Sequence, residues 1–153
     1  MLSVLFDTNI YGKIFYDPAG IELIKRISND DQFIIHNFRL IRNELRNAPK
    51  ILPIYDELVT KRVIDESKKI SHLASSYYEC YKLNRGAQGQ TKMISDFKIV
   101  ACASILGCDM VFSDDEKTMK NPISRKAYAI INIKQGFRTP IFYTYNFLKN
   151  RYY

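Results

Sequence analysis

Acidic residues recur in this chain where a run of apolar residues has just ended. LSVLF is followed by Asp7-Thr8-Asn9, and DMVFS by Asp114-Asp115. Asp96 lies early in the apolar stretch TKMISDFKIVACASILGC, and Glu44 borders the apolar side of FRLIRNELRN. If the apolar runs are parallel strands, their carboxyl ends share one edge of a sheet, the edge at which open α/β sheets bind ligands. Carboxylates gathered there repel by a few kcal/mol per pair, on the order of 3 kcal/mol at an effective dielectric near 20. A cation relieves that repulsion. Aspartates with neither histidine nor cysteine among them suit a hard ion, Mg2+ or Mn2+. The candidate ligands are Asp7, Asp96, Asp115 and Asp114. Strand alternation sends the side chains of the adjacent pair in opposite directions, so one of them is the better candidate.

The elements that must position these acids follow from periodicity and punctuation. Residues 2–6, 32–35, 109–113 and 128–133 read as short strands. Thr8 or Asn9 can cap a helix from Ile10, and Asn37 can cap the Glu44 helix. Asp17-Pro18 matches a helix start, with Ile21, Ile24 and Ile27 on one side and a Glu22–Arg26 pair on another. Residues 51–84 predict a helical hairpin carrying the stripe Ile70, Leu73, Ala74, Tyr77 and Tyr81. After the loop NRGAQGQ, a helix bears Met93, Phe97, Val100, Ala101 and Ser104 on one face and stops at Gly107. Thr139-Pro140 predicts a closing helix through Leu148. Strands separated by helices, without hairpin signals, predict an α/β fold with a mainly parallel sheet.

Bulk properties narrow the class. The chain has 153 residues, enough for one domain with a real core. Lys plus Arg total 23 against 16 Asp plus Glu, a net charge of +7 that suits a polyanionic partner. The 3 cysteines form no C-x-x-C pair, and the 2 histidines lie far apart, which predicts reduced core thiols and no structural zinc. No apolar run approaches the roughly 18–20 residues of a membrane span, and no secretory signal opens the chain, so a cytoplasmic location is expected.

FDTN, the helical NELR and SDFKIVACASILGCDMVFSDD together resemble the PIN-domain ribonucleases, above all the VapC-like toxins of prokaryotic toxin–antitoxin pairs. Residues 1–47 and 91–117 carry the resemblance, and 50–90 form a variable helical segment within a single PIN-like domain spanning 1–153. The resemblance implies a three-layer α/β/α fold and a Mg2+- or Mn2+-dependent endoribonuclease. It assigns catalysis to Asp7, Glu44, Asp96 and Asp115, with Ser113 in the small-hydroxyl place. Asn9, Arg39, Arg42 and Ser113 fall to the substrate, with lysines around 117–120 helping to grip the RNA backbone. It also implies an antitoxin partner and a homodimer.

Each acid also has a plainer explanation. Asp7 can be only a helix cap, Asp96 a favourable charge near a helix start, Glu44 a partner of Arg39, Arg42 or Arg46, and Asp114-Asp115 a capped turn. None of these explains why the acids fall at the ends of parallel strands. The competing function is a catalytically inactive module of the same fold that binds RNA or assembles with a partner. Haloacid-dehalogenase-like phosphatases fit poorly, because Asn9 stands where a second Asp is needed. Response-regulator receivers fit no better, for want of an acidic pair near the first strand and a central phospho-acceptor Asp.

Overall fold

LSVLF forms the central strand β1 (Leu2–Phe6), and its Val4, Leu5 and Phe6 are fully buried, as in a strand covered on both faces. The structure, a computed structural model, describes residues 1–153. After β1 come α1 (Thr8–Tyr16), α2 (Gly20–Ser28), β2 (Phe33–Phe38), α3 (Arg39–Leu45) and α4 (Leu52–Leu58). Then follow β3 (Val59–Ile64), α5 (Lys68–Leu83), α6 (Gln90–Leu106), β4 (Met110–Phe112), α7 (Pro122–Gln135), β5 (Ile141–Tyr143) and α8 (Tyr145–Tyr152). The 5 strands lie in the order β3-β2-β1-β4-β5, every neighbouring pair parallel. Helices flank the sheet, with α5 packed on α6 and α7, and α2 packed on α1, α4 and α8. This is the PIN-like α/β/α class expected.

Register decides which residues meet at the functional edge. Phe6 pairs with Phe112, and Phe112 with Tyr143. Since all strands run the same way, the next residues, Asp7 and Ser113, leave the sheet side by side. The Asp7 amide donates to the Phe112 carbonyl at 2.8 Å, and the Ser113 amide to the Tyr143 carbonyl at 2.9 Å. Helix α6, which carries Asp96, lies against β1 and β4. Its Met93, Phe97, Val100, Ala101 and Ser104 are all buried. A polar knot holds it in place: the Tyr77 hydroxyl donates to Asn132 at 2.6 Å, and Asn132 donates to Ser104 at 3.0 Å. Tyr77 and Tyr81 therefore belong to the core, and the buried thiols of Cys80, Cys102 and Cys108 are free.

Several local expectations are overturned. The helical hairpin over 51–84 is instead α4, an edge strand β3 and α5. Val59, Val63 and Ile64 favour the extended chain, and the exposed Lys61 and Arg62 that imitate a helix surface guard the sheet edge. YAIINI, read as a strand, lies inside α7. Asn121 caps that helix, Pro122 opens it, and the buried residues Ser124, Tyr128 and Asn132 recur every four positions. Ile133 is left exposed. The closing helix begins later than Thr139-Pro140, because residues 141–143 add to β4 as β5 and Thr144 caps α8. Asn37 lies within β2 and does not cap α3; its carboxamide accepts from the Tyr55 hydroxyl and donates to the Thr60 carbonyl. Helix α2 starts at Gly20 and buries Leu23 and Ile27, with Ile21 outside.

Candidate metal centre

Asp7 is the N-cap of α1, its carboxylate accepting from the Thr8 amide at 2.8 Å. Capping uses one oxygen only. The other, Oδ2, accepts from the Ser113 hydroxyl at 2.7 Å and from the Asn9 amide group at 3.1 Å. The capping explanation is thus true and insufficient. Burial pushes the Asp7 carboxyl above the usual range, the Ser113, Thr8 and Asn9 donors oppose this, and Asp115 adds to it.

Asp96 projects from α6, whose buried face sets its direction. Asp115 enters from the turn after β4, its amide donating to the Ser113 hydroxyl at 3.0 Å. Ligand atoms of Asp7, Asp96 and Asp115 lie within 4.8 Å of one another. Burial, opposed by the Thr118 hydroxyl and reinforced by Asp7 and Asp115, raises Asp96 to about 8. Burial also pushes Asp115 upward, but donors from the Thr118 side chain and amide, Asp96 and the Lys117 amide outweigh it and leave Asp115 below the usual range. Of the three acids, Asp96 is the one pressed furthest toward its neutral form, first by burial and then by the charges of Asp7 and Asp115.

This donor set fits a hard divalent cation. It offers only oxygen, concentrates repulsion on the order of 3 kcal/mol per ionised pair, and places the oxygens near the roughly 4 Å spread that one Mg2+ or Mn2+ ion requires. Asp7, Asp96 and Asp115 are the residues able to hold it.

The other sequence candidates divide. Asp114 turns away: its carboxylate accepts from the Tyr145 amide at 2.9 Å and lies 3.7 Å from the Lys13 ammonium. Alternation after the strand makes one aspartate a site residue and the other an anchor for α8. Glu44 reaches the margin, where the Thr8 hydroxyl donates to it at 3.1 Å. The surrounding protein raises its carboxyl, the Thr8 hydroxyl opposes this, and Asp7 adds to it. Asn9 is a frame residue: it donates to Asp7 and accepts from the Asp114 amide at 3.2 Å. Ser113 is wholly buried and orients Asp7, so its hydroxyl has no free face for a substrate.

Arg39 pairs with Asp65, yet shares with Glu44, Asn43 and Asn47 a cleft of about 330 Å³. Arg42 is held in a two-pronged contact with Asp56 at 3.0 and 3.2 Å. On the other side of the site, Asn9, Lys13, Tyr16, Tyr145 and Lys149 line a second open cleft of about 610 Å³.

Two residues escaped the sequence reading. The buried Thr118 places its hydroxyl against the carboxylates of both Asp96 and Asp115. The spacing Asp-x-x-Thr was visible as a turn signal, since Asp115 accepts from the Lys117 and Thr118 amides. Lys120, expected among the outward lysines, is buried and donates to the Ser113 carbonyl at 2.8 Å. Nothing in its neighbours along the chain announces that inward turn.

No family model and no curated protein sequence matches the chain. Among solved structures, the fold is similar to that of a chain in the crystal structure of VapBC2 from Rickettsia felis bound to a DNA fragment from their promoter. The TM-score is 0.61 at 12% identity, over 94% of this chain and 98% of that one. No helix is long and apolar enough to cross a membrane.

Proposed function

We propose that this protein is a divalent-cation-dependent endoribonuclease and the toxin of a toxin–antitoxin pair, working as a single PIN-like domain in the cytoplasm. The observation that carries this reading is the convergence of Asp7, Asp96 and Asp115 within 4.8 Å at the carboxyl edge of the sheet. The VapC-like residue pattern and the VapBC2-like fold support the same family from independent directions. The charge of +7 favours a nucleic-acid substrate and a partner able to mask it.

In this reading Asp7, Asp96 and Asp115 hold Mg2+ or Mn2+. When bound, the ion supplies Lewis acidity at a phosphate oxygen and lowers the pKa of a water. Asp96 would be a ligand in its ionised form. Glu44, fixed by Thr8 beside Asp7, orients the attacking water and takes a proton at its free carboxylate oxygen. The exposed Lys117 holds the RNA backbone, joined by Arg39, which lines the same cleft as Glu44, once it leaves Asp65. Arg42 joins them only after leaving Asp56. An antitoxin covers the site, and the toxin pairs with a second copy of itself.

The test is cleavage of tRNA by purified protein with Mn2+. Cutting that EDTA abolishes, and that Asp7→Asn and Asp96→Asn each abolish, supports the reading. RNA binding without cutting, indifferent to EDTA and to both substitutions, replaces it with the inactive binding module.

A further inference from the structure

Directly behind the acids sits a buried cation that the proposed chemistry does not use. The Lys120 side chain is 2% exposed, and its partner Glu116, 2.7 Å away, is 66% exposed. Removing an ammonium from water is costly unless its donors are filled at fixed places. The inner partner is the carbonyl of Ser113, at 2.8 Å. The backbone joins the same turn, since the Lys120 amide donates to the Asp115 carbonyl at 2.9 Å. Arg125 and Tyr128 of α7 brace the segment from outside, donating to the Lys120 carbonyl at 3.1 Å and the Met119 carbonyl at 2.8 Å.

What Lys120 grips is the junction of the site. The hydroxyl of Ser113 donates to Asp7 at 2.7 Å and accepts from the Asp115 amide at 3.0 Å. One residue thus connects the acid leaving β1 with the acid leaving β4, and Lys120 fixes its carbonyl from behind. We infer that Lys120 is a positioning residue for the cation site, setting the spacing of Asp7 and Asp115 through Ser113. Its ammonium is bonded to neither carboxylate, and its burial removes it from the RNA surface. Water can replace the exposed Glu116 as a partner. Nothing replaces the ammonium at the buried Ser113 carbonyl.

The inference rests on the cation-binding reading, and Mn2+ affinity, measured by calorimetry or by loss of the free-ion electron-spin signal, separates the two. Lys120→Met keeps the apolar stem and removes the charge. It is expected to weaken Mn2+ binding by about tenfold or more, the usual effect of losing a group that orients ligands. Glu116→Gln should stay within about twofold of wild type, since water serves in its place. Combining Lys120→Met with Ser113→Ala should weaken binding no further than Ser113→Ala alone, because both act along one path.

A folded Lys120→Met protein that binds Mn2+ within about threefold of wild type overturns the inference, as do additive effects in the double variant. Should Lys120→Met not fold, the wild type decides. The magnetic-resonance signal of the Lys120 ammonium must shift as Mg2+ is added, because coupling between the two places is reciprocal. A signal unmoved through saturation refutes the role. Wild-type protein that binds no Mn2+ removes the cation reading and this inference together, whereas normal wild-type binding with an indifferent variant removes Lys120 alone.

Discussion

Replacing Asp96 by asparagine in the metal-free protein turns the crowding of the acids into a measurable free energy. Burial, with Asp7 and Asp115 adjacent, raises the Asp96 carboxyl to about 8, while an aspartate in an unfolded chain titrates near pH 4. The folded state keeps a proton that the unfolded chain releases. Stability from this group is therefore fully present below about pH 4, falls as pH rises, and is lost above about pH 8. One proton gives a limiting slope of about 1.4 kcal/mol per pH unit. Asp96 is only partly enclosed, so the expected loss between about pH 5 and pH 7 is roughly 1–2 kcal/mol once screening is included. Asp96→Asn keeps the shape and removes the titration. Urea unfolding in EDTA should show wild type losing stability over that interval and the variant following a shallower line, set by the raised carboxyl of Asp7. Added Mg2+ or Mn2+ should stabilise wild type and not the variant. Parallel pH profiles in EDTA would refute Asp96 as the proton carrier.

Thr118→Val preserves shape but removes the hydroxyl between Asp96 and Asp115. Mn2+ affinity by titration calorimetry should drop about tenfold in a folded protein, and unchanged affinity would mean that the carboxylates need no such tie. Gly20→Ala would set a Cβ 2.1 Å from the Ile14 carbonyl oxygen. A loss of about 2–3 kcal/mol in thermal melts is expected, and a loss under about 1 kcal/mol would show that the α1–α2 turn relaxes freely. Asp17 accepts from Tyr145 at 2.6 Å and from Lys149 at 2.7 Å, and Lys149 chiefly holds its carboxyl down to about 2. Asp17→Asn should lose about 1 kcal/mol at neutral pH. That difference should be present above about pH 4 and close as pH falls toward 2, because a depressed carboxyl loses its contribution on protonation. A difference constant with pH would exclude Lys149 as the partner.

The legible parts of the chain were those governed by local periodicity. β1, β4, the buried stripe of α5, the buried face of α6 and its stop at Gly107 follow from which apolar residues recur and where. The stop itself needs the left-handed conformation, φ 69°, that Gly107 adopts. The misread parts were those where tertiary packing overrides propensity. YAIINI has the β-branched residues of a strand, but a cap at Asn121 and partners on α5 make it helix. Val59–Ile64 and Ile141–Tyr143 become strands because β2 and β4 offer open edges for pairing, which no inspection of those segments alone could supply.

Composition and chain order alone settle the donors: carboxylates, with no histidine or thiol, placed just past apolar runs that lie side by side. That followed from alternation and composition, which any short window contains. Long-range packing sets the rest: Asp115 faces Asp7 and Asp96 while Asp114 anchors α8, Ser113 and Thr118 orient acids, and Lys120 points inward. Those choices depend on strand register and on contacts such as Ser113 to Asp7, made across 106 positions of chain. A side chain's direction at such a junction is set by what the distant segment brings beside it, and that is fixed only when the sheet closes.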